Sequence, residues 1–120
     1  MIYLKEQQIF FKRLKEIKDY WVKTSVKGLE SDTDLIWSDY EDEYVQLQGV
    51  LSNDEDKQAY EKVLDEAIKG AIHSILVMLD GGDELTDEFN IDLINADSQK
   101  SLNEKIALHE EFFGYLLDEE

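Results

Sequence analysis

The sequence predicts an α+β domain that is mainly helical: about four helices, with one short strand or hairpin between the third and the last. Three observations carry this. Apolar residues recur every three or four positions over most of the chain, the spacing that lines one face of a helix. That period gives way to alternation only after Gly82. Glycines or clusters of capping residues punctuate the periodic segments, and proline is absent. At 120 residues the chain suits a single compact domain spanning 1–120.

The first helix is expected over 4–22, with Phe10, Leu14, Ile17 and Trp21 as its inner series and Gly28 as its stop. Ser31, Asp32, Thr33 and Asp34 then offer N-cap oxygens for a second helix, whose apolar series is Ile36, Tyr40, Tyr44, Leu47 and Leu51. Ser52 and Glu55 match a capping box for the third, with Tyr60, Leu64, Ala67, Ala71, Ile75 and Leu79 inward, an Asp65/Lys69 pair, and Gly81-Gly82 at its end. From Ile72 the pattern is apolar on every side, which predicts burial all round; a buried strand over 72–79 is the competing reading, because short apolar runs are ambiguous. Phe89, Ile91 and Leu93 alternate with Asn90, Asp92 and Ile94 as a strand would, Asn95-Ala96-Asp97-Ser98 reads as a turn, and 99–102 as a short return. A second capping box, Ser101 and Glu104, opens a last helix with Ile106, His109, Phe113 and Leu116 or Leu117 inward.

Charge narrows the function classes. Twenty-nine acidic and 12 basic side chains give −17, distributed as +3 over residues 1–30 and −20 over 31–120. A body this acidic repels nucleic acid and anionic lipid and is steered toward basic protein surfaces. The absence of cysteine removes disulfides, thiolate metal sites and thiol nucleophiles, and no secretory signal or membrane-length apolar run is visible, so a cytoplasmic location is expected.

No catalytic, cofactor or metal residues are assigned. Each helix with a histidine has only one, so the HExxH pattern is missing, and whether His73 and His109 converge is left open. The segment 80–84 fits neither an EF-hand nor a P-loop and reads as a helix stop followed by a solvated acidic loop. The segment Asp39, Tyr40, Glu41, Asp42, Glu43 and Tyr44 is the candidate partner-binding surface. Carboxylates there attract a cationic partner and tyrosines anchor it at small entropic cost, although Tyr40 and Tyr44 also fall in the apolar series of their helix.

The segments IHSILVMLDGG (72–82), Ile91-Asp92-Leu93 and Leu108-His109-Glu110-Glu111-Phe112 resemble a family of small bacterial proteins, and in size and acidity the chain is similar to bacterial toxin-immunity proteins. That resemblance implies a stoichiometric inhibitor of a basic toxin. Small helical nuclease-immunity proteins use a Tyr-Tyr-Pro element; here three residues separate Tyr40 from Tyr44 and proline is absent, so their binding residues are not carried over. The leading expectation is therefore a non-enzymatic acidic binding protein, an immunity-type or antitoxin-like inhibitor docking on a basic protein surface. The alternatives are an enzyme dependent on metal or on His and carboxylate groups, and a self-associating accessory domain in which the basic helix of one copy meets the acidic face of another.

Overall fold

Four α-helices account for most of the chain in the computed structural model, which describes residues 5–119: α1 (Lys5–Lys27), α2 (Glu41–Val50), α3 (Asp54–Leu79) and α4 (Leu108–Glu119), with one 3-10 turn at Glu84–Asp87. Leu4, at the start of the expected first helix, lies outside the described residues. Among the described residues no helix is long and apolar enough to cross a membrane. The chain divides into two compact units, residues 1–16 with 69–120 and residues 17–68. α1 and α3 each contribute to both.

In the unit of 1–16 and 69–120, Phe11, Leu76, Leu108, Phe112 and Leu116 form the core. The rings of Phe11 and Phe112 stand 5.6 Å apart at 43°, a tilted contact of the kind aromatic quadrupoles favour. α3 is helical through 72–79, which excludes the strand reading, and Gly81 closes it in the left-handed region at φ 78°. Gly82 N–H donates to Val77 O (2.8 Å) and Gly81 N–H to Met78 O (3.1 Å), the paired bonds of a Schellman end. Of the last turns of α3, only Leu76 is buried; Ile75 and His73 are exposed, so the expectation of burial all round is corrected. An uninterrupted apolar run sets no phase of its own, and the neighbours here cover one side.

The expected strand is reduced to a single antiparallel bridge, Ile94 with Ser101. Ile91 and Leu93 are half-buried and Asn90 and Asp92 exposed, as the alternation requires, but Phe89, expected at the start of the inner series, is exposed. The turn is where it was expected: Asn95 Oδ1 accepts from Asp97 N–H (2.9 Å) and Ser98 N–H (3.3 Å), and Gln99 takes φ 63°. Side chains replace the rest of the ladder, since Asn103 Oδ1 takes the Leu93 N–H at 3.3 Å.

In the unit of 17–68, α1 ends at Lys27 before Gly28 as predicted. The helix after it starts at Glu41, seven residues past Asp34. Asp34 Oδ1 accepts from Ile36 N–H (2.9 Å), an Asx turn, which takes the backbone away from a helix start instead of capping one. Leu35 is buried, and Ile36, expected on the inner face, is 89% exposed. The cap of α3 is shifted by one residue from the expected box: Asn53 Oδ1 accepts Asp56 N–H at 2.8 Å, and Asn53 Nδ2 donates to Asp56 Oδ2 at 3.1 Å.

The buried face of α1 is also rotated from its expected phase. Gln7, Phe11, Lys18 and Val22 are buried, whereas Ile17 and Trp21 are exposed. Lys18, 2% exposed, donates to Asp65 Oδ1 (2.6 Å) and Asp19 Oδ1 (2.8 Å). Burial alone would lower the pKa of this ammonium, but the hydrogen bonds and charge of the two carboxylates together outweigh it and hold it above the usual lysine range.

Candidate protein-binding face

Residues 20–44, within the unit of 17–68, place large aromatic side chains at the surface. Tyr20 packs edge-on against Trp21 (5.4 Å, 89°), Trp21 against Trp37 (6.2 Å, 63°) and Trp37 against Tyr44 (5.5 Å, 72°). Edge-to-face pairs of this kind contribute about 0.5–1.5 kcal/mol each beyond the area they bury, so the ladder is held in place by its own contacts. Its inner end is fixed. Tyr44 is half-buried against Gly28, where an added Cβ would stand 2.5 Å from the Tyr44 ring, so the glycine is required for close approach.

The outer end is open. Tyr20, Trp21, Ile36 and Trp37 are all exposed, and Tyr40 is 65% exposed. Turns set this orientation: Ser38 N–H donates to Leu35 O (2.9 Å) and Tyr40 N–H to Ser38 Oγ (3.0 Å), fixing the segment between buried Leu35 and α2. A groove of about 480 Å³ opens where Trp37, Asp32, Asp34, Lys27 and two threonines meet.

Of the residues singled out in the sequence, Asp39, Glu41, Asp42 and Glu43 are exposed, Tyr40 faces solvent, and Tyr44 packs inward. Glu41, Asp42 and Glu43 form the first turn of α2, where the helix dipole favours negative charge, so they stabilise the helix as well as present carboxylates. No Lys or Arg occurs between Lys27 and Lys57, a stretch holding ten Asp and Glu. The periodicity reading placed Trp21 and Ile36 on inner faces because it counts every large apolar residue at helical spacing as core, and it assigned no place to Trp37; all three are exposed. For Ile36 and Trp37 the signal that could have found them is the absence of basic residues over 28–56.

A second cluster lies in the unit of 1–16 and 69–120. His73 and His109 do converge, with ring centroids 5.5 Å apart and planes nearly perpendicular. Asp80, at the C-cap of α3, turns its carboxylate to the start of α4: Oδ2 accepts the His109 backbone N–H (2.9 Å) and contacts His109 Nδ1 (2.6 Å). Ala107, which precedes α4, has no side-chain acceptor, so Asp80 supplies the N-cap from 29 residues away. Ser101, expected in that role, donates instead to Asp92 Oδ1 at 2.6 Å. The inner face of α4 is accordingly Leu108, Phe112 and Leu116; Leu116 is inward as one of the two expected residues there, while Leu108 and Phe112 take the places expected of His109 and Phe113, and Phe113 and Leu117 are exposed.

With Asp80 ionised, His109 Nδ1 is a donor and the neutral ring keeps its lone pair on Nε2. Glu110 Oε1 stands 4.0 Å from that nitrogen. Among the described residues, no three His, Asp or Glu side chains are gathered into a set able to hold a metal ion. No family model, curated protein or solved structure matches the chain, so its assignment rests on these two clusters alone.

Proposed function

We propose that the protein is a non-enzymatic binding protein of the immunity or antitoxin type, which docks on a basic protein surface through residues 20–44. The observation that carries the reading is a preorganised aromatic ladder whose Trp37 and Tyr44 lie, with the exposed Tyr40, in the 29-residue stretch without Lys or Arg, while its Tyr20 and Trp21 stand on the basic helix α1. Rigid aromatic anchors supply buried area at the centre of an interface, and surrounding carboxylates speed encounter with a cationic surface. A toxin that binds nucleic acid presents such a surface, and covering it with carboxylates would occlude it by mimicking phosphate charge.

The test is affinity capture from the native cell at low and high salt, with partners identified by mass spectrometry. A basic protein is expected, released as salt screens the charges. Its capture should fall with Trp37→Ala plus Tyr40→Ala and with Glu41→Lys plus Asp42→Lys. Capture of no basic protein at low salt, or capture indifferent to both variants, overturns the reading.

A second reading, an enzyme dependent on metal or on His and carboxylate groups, is favoured by the convergence of His73 with an Asp80-oriented His109. Zinc or copper titration of wild type and His109→Ala, with any activity found compared between the two, separates it from the first: identical titrations and no change in activity remove it.

A further inference from the structure

We infer, resting on the reading of residues 20–44 as a docking face, that this face is self-complementary and that a second copy of the chain covers it when no other partner holds it. Two properties of the face point to that occupant, its apolar area and the way charge is divided along it.

Tyr20, Trp21, Ile36, Trp37 and Tyr40 are between 42% and 89% exposed. At roughly 100–150 Å² each, these five side chains supply most of the ~800 Å² per partner that a stable interface buries. Monomeric proteins seldom leave so large an apolar surface uncovered.

Charge selects what covers it. α1 exposes Lys5, Lys12, Arg13, Lys23 and Lys27 against one exposed acid, Glu16. Lys23 and Lys27 stand three and seven residues beyond Tyr20, which places them on its side of the helix. The ladder runs from Tyr20 on this cationic helix to Tyr44 in the anionic stretch. At that far end Asp39, Glu41, Asp42 and Glu43 are exposed, and no Lys or Arg occurs over 28–56 to neutralise them.

A strip with cations at one end, rings in the middle and carboxylates at the other fits its own copy turned about a two-fold axis. The axis passes through the rings, the lysines of each copy meet the carboxylates of the other, and the two equivalent contacts form together. A face of one sign would repel its own copy; division of the signs along the ladder removes that repulsion and sets the register. The net charge of −17 opposes approach of two copies at low ionic strength. At about 0.15 M salt, where the screening length is about 8 Å, that long-range term fades and the charges in direct contact persist. A basic partner then competes with the second copy for the same rings and carboxylates, so docking requires the dimer to part.

The experiment is sedimentation equilibrium of the purified full chain over about 1–200 µM in about 0.15 M salt, where a dimer that grows in with concentration is expected. Lys23→Glu with Lys27→Glu, and separately Glu41→Lys with Asp42→Lys, should each weaken the dimer by roughly tenfold or more, since each variant makes both contacts like-signed. Mixed in equal amounts, the two variants should recover a heterodimer, because every contact in the mixed pair is again of opposite sign. Trp37→Ala should weaken the wild-type dimer. Glu41 and Asp42 also support the start of α2, so circular dichroism is read in parallel, and Asp39→Lys, which lies outside that helix, repeats the reversal without touching it. A chain that stays monomeric throughout overturns the inference and leaves the docking reading standing; a charge-sensitive dimer from which no basic protein is captured supports it and overturns the docking reading. A dimer indifferent to both reversals, or a mixture that stays monomeric, overturns it by showing that another face is used. Growth beyond the dimer means a head-to-tail contact and overturns the two-fold pairing.

Discussion

The two units use the same residue types in opposite ways. In the unit of 1–16 and 69–120, Phe11 and Phe112 are buried in one cluster with three leucines. In the unit of 17–68 the buried side chains are Val22, Leu29, Leu35 and the stem of a lysine, while both tryptophans lie at the surface. The first arrangement takes its stability from apolar burial. The second leaves that source partly unused and relies on turns, ring edges and a buried ion cluster, which keeps aromatic area at the surface.

Truncation should break this contrast most visibly. Phe112→Ala or Leu76→Ala is expected to cost about 3–5 kcal/mol in urea unfolding, from lost transfer energy and a cavity that cannot fully collapse. Lys18→Ala should follow at about 2–4 kcal/mol, because it removes the ammonium that both Asp65 and Asp19 contact; the value is held below that of a fully buried pair since both carboxylates are about a third exposed.

The same lysine sharpens the comparison through pH. Its folded pKa is raised, and so is that of Tyr60, first by burial and then by Tyr44. For a group raised on folding, stabilisation is complete below the unfolded pKa, 10.5 for the lysine and 10.0 for the tyrosine, and is lost as pH climbs through the folded value. Alkaline unfolding of wild type should therefore steepen above about pH 10, and Lys18→Met should show a shallower loss over that range in thermal melts.

Gly28→Ala comes next, at about 1–3 kcal/mol, because the new methyl must displace the Tyr44 ring. The smallest effect on folding belongs to Trp37→Ala with Tyr40→Ala. These exposed side chains should change unfolding free energy by only about 1 kcal/mol, chiefly through the lost ring contacts of Trp37, while removing partner capture. A larger loss of stability would place the ladder with the core instead.

Much of the helical content was legible because apolar periodicity and glycine stops act locally. The Schellman end at Gly81 and Gly82 and the Asn95 turn are determined within a few residues, and both were read directly. The phase of α1 was not, because buried Gln7 and Lys18 are polar; their partners, Leu102 O and Asp65, are distant in sequence, and without them polar residues belong on the solvent side. The second helix was read too early for a related reason, since Asp34 can cap a helix or close an Asx turn and nothing local chooses between them. At the candidate face, carboxylates were legible from composition, but the exposure of Trp37 and Ile36 depends on the turn that buries Leu35.

The cap that Asp80 places on α4 also bears on how the chain folds. A 12-residue helix is marginal in water, and α4 begins at an alanine-preceded turn with no acceptor of its own. Its first turn acquires a cap only once the end of α3 is in place, so α4 cannot mature as a free segment and must consolidate by docking. The His109 amide proton then becomes a natural reporter of that event: its exchange with solvent should follow opening of α4 from α3, slower than the fraying expected of an ordinary helix start.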